Sequence, residues 1–232
     1  MSASPPDVRP RIVVINPNSL TAMTGAIADA VSVFATLPVR IDCLTTPDGP
    51  PGIETQLDSD LAVGPLFKQA REQAADAAAI VIACFSDPGL WAMREHFPFP
   101  VLGIGEAGML TAMATRTRIG VIAAARQSLP RHYRYFAQMG LEKRVAGERS
   151  LDLHMTDLAD EESTFKRLAD VARTLRDEDS AEVLVLGCAG FGRQRARLEQ
   201  ACGLPVIEPS QAAVGMAVAQ IFAGTRTTSP RV

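Results

Sequence analysis

The chain has few of the residues that build metal sites, nucleic-acid interfaces and membrane spans. Its 232 residues include only four cysteines and three histidines, and 5% are aromatic. The formal net charge is −3 and no basic run occurs, which argues against nucleic acid or an anionic membrane as a partner. No apolar stretch approaches the length that crosses a bilayer. Neither Cys-x-x-Cys nor His-Glu-x-x-His occurs, so His96, His132 and His154 predict no metal site.

What remains is the composition of an ordinary globular protein. Hydrophobic residues make up 47% and charged residues 21%. The length suits one large α/β domain or two small lobes. Residues 1–10 are rich in proline and serine without an apolar core, so we expect a flexible segment rather than a signal peptide. We expect 225–232 to be flexible too, and the protein to be cytoplasmic with reduced cysteines.

The strongest local pattern is an apolar run that ends in a cysteine. Residues 80–83 are small or branched apolar residues, a pattern typical of a strand buried on both faces of a parallel sheet. Pro88 suits the first turn of a following helix, where its missing N–H is not needed. We therefore expect Cys84 at the carboxyl end of a central strand, before a helix N-terminus, where open α/β sheets bind ligands.

The same pattern occurs again around Cys188, which lies 104 residues after Cys84. A Pro-Val-aliphatic strand begins 16 residues after the first cysteine, at Pro100, and 17 residues after the second, at Pro205. This nearly equal spacing indicates an internal duplication. We predict two similar lobes, each of which delivers one thiol to a shared cleft.

Strands alternate with helices along the chain, which predicts parallel sheets. The predicted strands are 11–15, 39–44, 80–83, 100–104, 118–124, 145–153, 181–186 and 205–208. The predicted helices are 20–36, 59–77, 88–96, 106–115, 128–139, 160–178, the turn after Cys188 to 201, and 210–222. The fold class is α/β, with two pseudo-symmetric lobes, each a mostly parallel sheet flanked by helices, and the active site in the cleft between them. Residues 11–115 with 208–224 form the first lobe and 116–207 the second, because the last helix has an apolar face that should pack across onto the first lobe.

Two opposed thiols suit stereoinversion without a cofactor. One thiolate removes a proton from the carbon next to a carbonyl and a thiol on the other face returns one, so both should titrate near the working pH. A free cysteine has a pKa of about 8.5, and a helix N-terminus after each cysteine should lower it. The charge that develops on the carbonyl oxygen needs hydrogen-bond donors. Candidate donors are the backbone N–H groups of Phe85, Ser86, Ala189 and Gly190 and the side chains of Asn16 and Ser86.

A lone cysteine after an apolar strand is usually a packing residue. Two cysteines at equivalent places in a duplicated frame favour a functional site, so we predict Cys84 and Cys188 as the catalytic pair. Cys43 lies within a predicted strand and Cys202 ends a predicted helix, and we interpret both as packing residues.

The acidic residues near these positions have other interpretations. Asp87 is better explained as a helix cap than as a catalytic acid. Glu208 suits a role in the cleft and a structural pairing role equally well. The charged run 157–162 is interpreted as a solvated surface and helix start.

Four segments resemble the aspartate/glutamate/hydantoin racemase superfamily, and most closely its hydantoin racemase branch, which includes allantoin racemases. They are Ile-Asn-Pro-Asn-Ser at 15–19 with Met23-Thr24, Ala-Cys-Phe-Ser-Asp-Pro-Gly-Leu at 83–90, Gly-Ile-Gly-Glu-Ala at 103–107 and Leu-Gly-Cys-Ala-Gly at 186–190. The resemblance extends from about 11 to 222, and 83–90 is its most specific part. It implies two α/β lobes with the site between them and Cys84 and Cys188 as the acid/base residues. The candidate substrate contacts are Asn16, Ser19, Thr46, Ile53, Phe85, Ser86, Ala124, Ala189 and Gly190.

One place departs from the pattern of this superfamily. Its members often carry a Thr-Thr pair at the end of the first strand of the second lobe, where this chain has Ala123-Ala124. Two hydroxyl donors are therefore missing, and we expect a less polar or differently shaped substrate.

The predicted function is a cofactor-independent racemase or epimerase of the hydantoin type, acting on a small cyclic ureide or amide. We expect a homo-oligomer whose partner is a small-molecule substrate, with no metal, nucleic acid or membrane. A malonate decarboxylase-like enzyme is disfavoured because both thiol positions are filled. A maleate isomerase-like enzyme is disfavoured because a dicarboxylate would want more donors or an arginine beside the thiol. A non-catalytic binding protein is disfavoured because it would not need two thiols.

Overall fold

The computed structural model of the chain describes residues 8–153 and 161–225, in which strands and helices alternate. Its strands are β1 (Arg11–Asn16), β2 (Arg40–Thr45), β3 (Ala79–Ile82), β4 (Val101–Gly103), β5 (Ile119–Ala123), β6 (Val145–Ser150), β7 (Val183–Leu186) and β8 (Val206–Ile207). Its helices are α1 (Thr21–Val31), α2 (Gln56–Gln73), α3 (Leu90–His96), α4 (Ile104–Thr115), α5 (Leu129–Gln138), α6 (Glu161–Asp177), α7 (Arg195–Cys202) and α8 (Pro209–Phe222). His154 and most of the charged run 157–162 lie outside the described residues. No helix within the described ranges is both long and apolar enough to cross a bilayer.

The strands form two four-stranded sheets with the same topology. The order is β2-β1-β3-β4 in the first sheet and β6-β5-β7-β8 in the second, and every neighbouring pair is parallel. All residues of the central strands β3, β5 and β7 are buried, whereas those of the edge strands β2 and β6 are half-buried. The predicted α/β fold with two pseudo-symmetric parallel sheets is therefore confirmed. The exact lobe boundaries stay a prediction.

Two helices cross between the sheets. α8 contacts β3 and β4, as expected for the last helix, and α4 contacts β7 in the reciprocal arrangement. A Cβ added at Gly108 on α4 would lie 3.1 Å from Pro209 Cβ and 3.3 Å from Val185 Cγ1. The glycine thus lets α4 approach α8 and the second sheet closely. The largest apolar cluster contains residues of both sheets, including Val81 and Leu186, so the two halves share one core.

The turn after β3 differs from the prediction. α3 begins at Leu90 rather than Pro88, and Gly89 at its N-cap has φ 71°. Asp87 also adopts a left-handed conformation, with φ 47°. Cys84 therefore does not lie directly before a helix N-terminus, and this part of the prediction is wrong. Cys188, by contrast, is the N-cap of a 3-10 helix, Ala189–Gln194.

The loop that precedes α2 is fixed by a capping box. Thr55 Oγ1 accepts a hydrogen bond from the backbone N–H of Asp58 at 3.2 Å, and Asp58 Oδ2 accepts one from the backbone N–H of Thr55 at 2.8 Å. α2 therefore begins at Gln56, three residues before the predicted start. The capping box positions Ile53 and Glu54 at the end of the loop.

Candidate active site

A cavity lies at the carboxyl ends of the strands of both sheets, and both predicted catalytic cysteines line it. Cys84 follows β3 and Cys188 follows β7, at equivalent places in the two sheets. The cavity offers about 50 Å³ to the centres of water-sized molecules, which is room for a few waters or one small molecule. The topology thus brings together two thiols that are far apart in the sequence.

Asp87 holds the Cys84 turn in place. Its carboxylate accepts hydrogen bonds from the backbone N–H groups of Gly105 (2.9 Å) and Glu106 (2.7 Å) and from the Tyr135 hydroxyl (2.6 Å). Asp87 therefore does not cap the helix that follows it, as the sequence suggested, but its carboxylate caps the start of α4. Because Tyr135 lies on α5, the same carboxylate also links the turn to the second half of the chain. Burial raises the pKa of Asp87 to about 7, although the three donors oppose this shift.

Small residues allow this turn to pack against the start of α4. A Cβ at Gly103 would lie 2.1 Å from Asp87 Cγ, and a Cβ at Gly105 would lie 2.1 Å from the carbonyl oxygen of Phe85. The close approach of the Cys84 turn therefore requires glycine at positions 103 and 105.

The Cys84 thiol has several groups that favour its charged form. Its Sγ lies 3.3 Å from Ser86 Oγ. Burial raises the pKa of the thiol, and the Ser86 hydroxyl, the charge of Arg131 and the Ser86 backbone N–H oppose this shift. The net pKa is raised, so the expectation of a lowered value is wrong for this cysteine.

The Cys188 thiol lies in a less favourable place for a negative charge. Burial raises its pKa to about 12; the Gly190 backbone N–H opposes the shift, and the charges of Cys84 and Glu208 add to it. The expectation of a lowered pKa is wrong here as well, because the short 3-10 helix does not compensate for burial. In both turns the sulfur interacts with the backbone N–H of the second residue after the cysteine, Ser86 or Gly190. A negative charge on Cys84 also disfavours a negative charge on Cys188.

The structure divides the other predicted site residues into two groups. Those that line the cavity are Ile53, Phe85, Ser86, Ala124 and Ala189. Those outside its lining are Asn16, Ser19, Thr46 and Gly190, which support the loops around it.

The hydrogen bonds of this second group explain its position. Asn16 Nδ2 donates to Asn18 Oδ1 at 2.8 Å and to Leu20 O and Thr24 Oγ1, both at 3.1 Å. Thr46 Oγ1 donates to the carbonyl oxygen of Asn16 at 2.8 Å, and Ser19 Oγ donates to that of Pro50 at 3.4 Å. These polar groups are engaged within the loops, and it is Asn18 that lines the cavity.

Glu208 and the remaining cysteines have structural surroundings. Glu208 caps α8, since its carboxylate accepts hydrogen bonds from the backbone N–H groups of Ser210 (3.1 Å) and Gln211 (2.6 Å). Cys43 lies on the edge strand β2 and Cys202 is buried at the end of α7, and neither lines the cavity of Cys84 and Cys188.

Sequence reasoning missed the side chains that α5 contributes. Arg131 and His132 both line the cavity and are both buried. His132 Nδ1 lies 2.5 Å from Glu148 Oε1, and its ring packs edge-on against Phe85 with centroids 5.1 Å apart. A signal was present, because the first turn of a helix after a central parallel strand lies at the ligand-binding edge of the sheet. The 3-10 helix Arg126–Ser128 separates β5 from α5, so the sequence did not show which residues form the first turn beside the cavity.

Arg131 brings a cationic side chain to the cavity. Its side chain is buried, and neither Nε nor Nη1 has a hydrogen-bond partner within the part of the chain that the structure describes. Burial lowers the pKa of Arg131, and the charges of Cys84 and Asp58 oppose this. No cluster of three or more His, Cys, Asp or Glu side chains suited to a metal occurs among the described residues.

Comparison with known proteins gives a consistent result. Residues 12–217 match the family model described as Asp/Glu/Hydantoin racemase. A hydantoin racemase of Rhizobium meliloti is 34% identical over 222 residues, which cover 94% of this chain and 91% of the relative. An allantoin racemase from Klebsiella pneumoniae has a similar structure (TM-score 0.88, 32% identity, 94% of this chain and 90% of that one). Another from Pseudomonas fluorescens gives a TM-score of 0.91 at 26% identity, covering 96% of this chain and 97% of that one.

Proposed function

The chain belongs to the Asp/Glu/hydantoin racemase family and is a racemase of the hydantoin type, and we propose that Cys84 and Cys188 are its two acid/base residues. The substrate we propose is a small cyclic ureide or amide with an acidic C–H beside a carbonyl, such as a 5-substituted hydantoin. The observation that supports this most strongly is that two thiols, at equivalent places of two duplicated sheets, line one cavity.

The surroundings of the two thiols suggest how the charge is distributed before reaction. Ser86 and Arg131 favour the thiolate of Cys84, whereas Cys84 and Glu208 disfavour a thiolate at Cys188. We therefore assign the thiolate of the reactive form to Cys84 and the thiol to Cys188. The Cys84 thiolate removes the proton of one enantiomer, and the Cys188 thiol returns a proton to the opposite face. The opposite enantiomer reacts after the two sulfurs have exchanged roles.

The charge on the substrate carbonyl must be stabilised while the carbon is deprotonated. Asn18 lines the cavity and its amide supplies polar hydrogens for this purpose, whereas the single hydroxyl hydrogen of Ser86 serves the Cys84 thiolate. Asn18 Oδ1 accepts hydrogen bonds from Asn16 Nδ2 and from the backbone N–H of Leu20, at 2.8 and 3.0 Å. These bonds orient the Asn18 amide and leave its nitrogen for a ligand.

Solvent exchange and cysteine variants test the mechanism. In deuterated buffer, each enantiomer of a 5-substituted hydantoin should gain deuterium at C5 as it racemises. Cys84→Ser and Cys188→Ser should each abolish racemisation, because a serine hydroxyl is too weak an acid to exchange the proton at neutral pH. Cys43→Ser is the matched control and should retain the activity of the unaltered protein. Full activity in either cavity variant would contradict the two-thiol mechanism.

Family membership favours racemisation over malonate decarboxylation and maleate isomerisation, the two other reactions considered for this fold. Chiral chromatography of a hydantoin reaction and anion chromatography of maleate and arylmalonate reactions separate the three outcomes. We expect loss of optical activity with hydantoins, no fumarate from maleate and no decarboxylation of the malonate. Binding of hydantoins without turnover would instead indicate a non-catalytic binding protein.

We also propose that the protein works in the cytoplasm as a homo-oligomer, without nucleic acid or membrane partners. A reducing compartment would keep the two thiols available for proton transfer. Sedimentation of the purified protein should give the mass of two or more chains of 24.8 kDa each. A mass equal to one chain would contradict the oligomer.

A further inference from the structure

Arg131 brings to the cavity a charged side chain with two nitrogens that lack hydrogen-bond partners among the described residues. Its side chain is about nine-tenths buried, and both Nε and Nη1 are inaccessible and unpartnered among the described residues. Other half-buried arginines are paired, such as Arg94 with Glu106 and Arg149 with Asp179. A buried cation is unfavourable unless an anion and hydrogen bonds compensate for it.

The two carboxylates whose charges act on Arg131, those of Glu148 and Asp58, are engaged elsewhere. Glu148 Oε1 already lies 2.5 Å from His132 Nδ1. Asp58 Oδ2 accepts hydrogen bonds from the backbone N–H groups of Thr55 (2.8 Å) and Glu54 (3.1 Å) in the capping box of α2. Both carboxylates attract Arg131 at a distance, but neither forms a hydrogen bond with it. The charge of the guanidinium is therefore only partly compensated, and two of its nitrogens have no hydrogen-bond partner among the described residues.

The Cys84 thiolate by itself does not fill this role through a catalytic cycle. In the proposed mechanism Cys84 becomes a neutral thiol as soon as it accepts the substrate proton, while Arg131 keeps its charge. A carboxylate on the ligand would supply an anion that stays charged throughout the reaction and accepts hydrogen bonds from the guanidinium. Planar guanidinium groups bind carboxylates through two parallel hydrogen bonds, which a neutral amide cannot reproduce.

We propose that Arg131 binds a carboxylate on the side chain of the substrate, so that the enzyme prefers acidic 5-substituted hydantoins, such as those derived from aspartate and glutamate. This inference rests on the proposed racemase function and narrows its substrate class. It also revises the expectation drawn from Ala123-Ala124. The absence of the two hydroxyl groups leaves space for a different ligand, and the guanidinium of Arg131 selects a ligand with a negative charge. The carboxylate is not consumed, since the only bonds that break and form are C–H and S–H.

A pair of substrates of nearly equal size tests the proposal. 5-Carboxymethylhydantoin and 5-carbamoylmethylhydantoin differ in one negative charge. We expect the unaltered protein to prefer the carboxylate by about 100-fold in kcat/KM, because a buried charged partner discriminates strongly. Arg131→Met should reduce this preference to within about threefold. The value of kcat/KM should fall for both substrates, because the Cys84 thiolate loses a favourable charge, but it should fall much further for the carboxylate. Arg131→Lys should retain an intermediate preference, because it keeps the charge but loses the planar fork.

Arg134→Met is the matched control, since Arg134 lies on the same helix but is exposed and bonded to Gln56. It should leave the preference unchanged. An equal loss of activity toward both substrates in Arg131→Met, with the preference for the carboxylate retained, would show that Arg131 acts only on the Cys84 thiolate and would overturn the proposal. Equal activity of the unaltered protein toward both substrates would overturn it too.

A ligand that cannot react separates this proposal from the racemase function. 5-Methyl-5-carboxymethylhydantoin has no hydrogen at C5, and its affinity is measured by calorimetry. Binding that is lost in Arg131→Met supports the proposal even if no hydantoin racemises, in which case the proposed function alone fails. If hydantoins racemise but neither the rate nor the affinity depends on the carboxylate of the ligand, this inference fails while the proposed function stands.

Discussion

Two sulfur atoms decide the chemistry of the cavity, and their charge depends on residues that surround them in space. Burial raises the pKa of both thiols, to about 12 at Cys188. Ser86 and Arg131 counteract this only at Cys84. The two cysteines are equivalent in the duplicated sequence but differ in their tendency to ionise, which allows one thiolate and one thiol to coexist.

The raised pKa values predict how activity depends on pH. Below the pKa of the first thiol to ionise, the reactive thiolate is a minor species whose fraction rises about tenfold per pH unit. We therefore expect kcat/KM to rise with pH between about 7 and 9. Initial rates of racemisation in buffers of constant ionic strength would measure this. A rate that is flat or falling over this interval would show that the resting thiolate already exists at neutral pH.

Ser86→Ala provides the matched variant for this pH profile. The hydroxyl lies 3.3 Å from the Cys84 sulfur and lowers the pKa of that thiol. Its removal should move the rising limb to higher pH, so that activity falls several-fold at pH 7 and recovers toward pH 9. A loss that is the same at every pH would indicate a contact with the substrate instead.

At the scale of single residues, the sequence identified the two cysteines but not the arginine. The cysteines follow apolar runs at repeated spacing, a signal that stays visible in one dimension. Arg131 is one of several arginines between 116 and 149, and nothing in its neighbours along the chain shows that it alone faces the cavity. Its burial is decided by the packing of α5 against the Cys84 turn.

Among the secondary-structure elements, the turn after β3 and the start of α4 form one unit. Asp87 accepts three hydrogen bonds, from two backbone N–H groups of α4 and from Tyr135 on α5. We expect Asp87→Asn to lower the free energy of unfolding by about 1–3 kcal/mol at pH 8, because the amide leaves at least one buried donor unpaired. Urea denaturation followed by circular dichroism would measure it. Unchanged stability would show that this cap is not required.

The same residue predicts a dependence of stability on pH. Burial raises the pKa of Asp87 from 3.8 in the unfolded chain to about 7 in the fold. Between these values the folded protein binds more protons at this site, so its stabilising contribution is full below about pH 4 and is lost as pH rises to about 7. The stability difference between the unaltered protein and Asp87→Asn should therefore shrink across this window. A difference that widens with pH would mean that the three donors outweigh burial.

Element boundaries were predicted to within a few residues, and the misses have local causes. α2 begins earlier than predicted because the Thr55–Asp58 capping box outweighs the apolar periodicity. α3 begins later because the Asp87 carboxylate is hydrogen-bonded to the start of α4. These bonds keep residues 87–89 in a turn, so the helix starts only at Leu90. Hydrogen bonds to a residue in another element are not visible in the local pattern.

On the scale of the whole molecule, α4 and α8 join the two sheets into one core. Gly108 lies where α4 meets Pro209 and Val185, and a Cβ there would be 3.1 and 3.3 Å from their side chains. We expect Gly108→Ala to lower the free energy of unfolding by about 1–3 kcal/mol through overpacking, although alanine is the better helix former. Chemical denaturation would measure the change.

Gly25→Ala is the control for this prediction. Gly25 is exposed within α1, and an added Cβ there has nothing within 4 Å. The substitution should stabilise the protein by up to about 1 kcal/mol. If Gly108→Ala stabilised the protein by the same amount, the close contact between the two halves would not limit packing.

The sequence by itself determined the strand and helix alternation, the duplication, the two cysteines and the family resemblance, because each is recorded in local composition or in spacing along the chain. The tertiary structure decided which loop residues face the cavity, which helix Asp87 caps and how far the thiol pKa values depart from those of free cysteine. It also placed, in the cavity of Cys84, a guanidinium with two nitrogens that have no partner among the described residues. These properties depend on burial and on distances between residues remote in sequence, and such distances exist only once both sheets are packed around a common core.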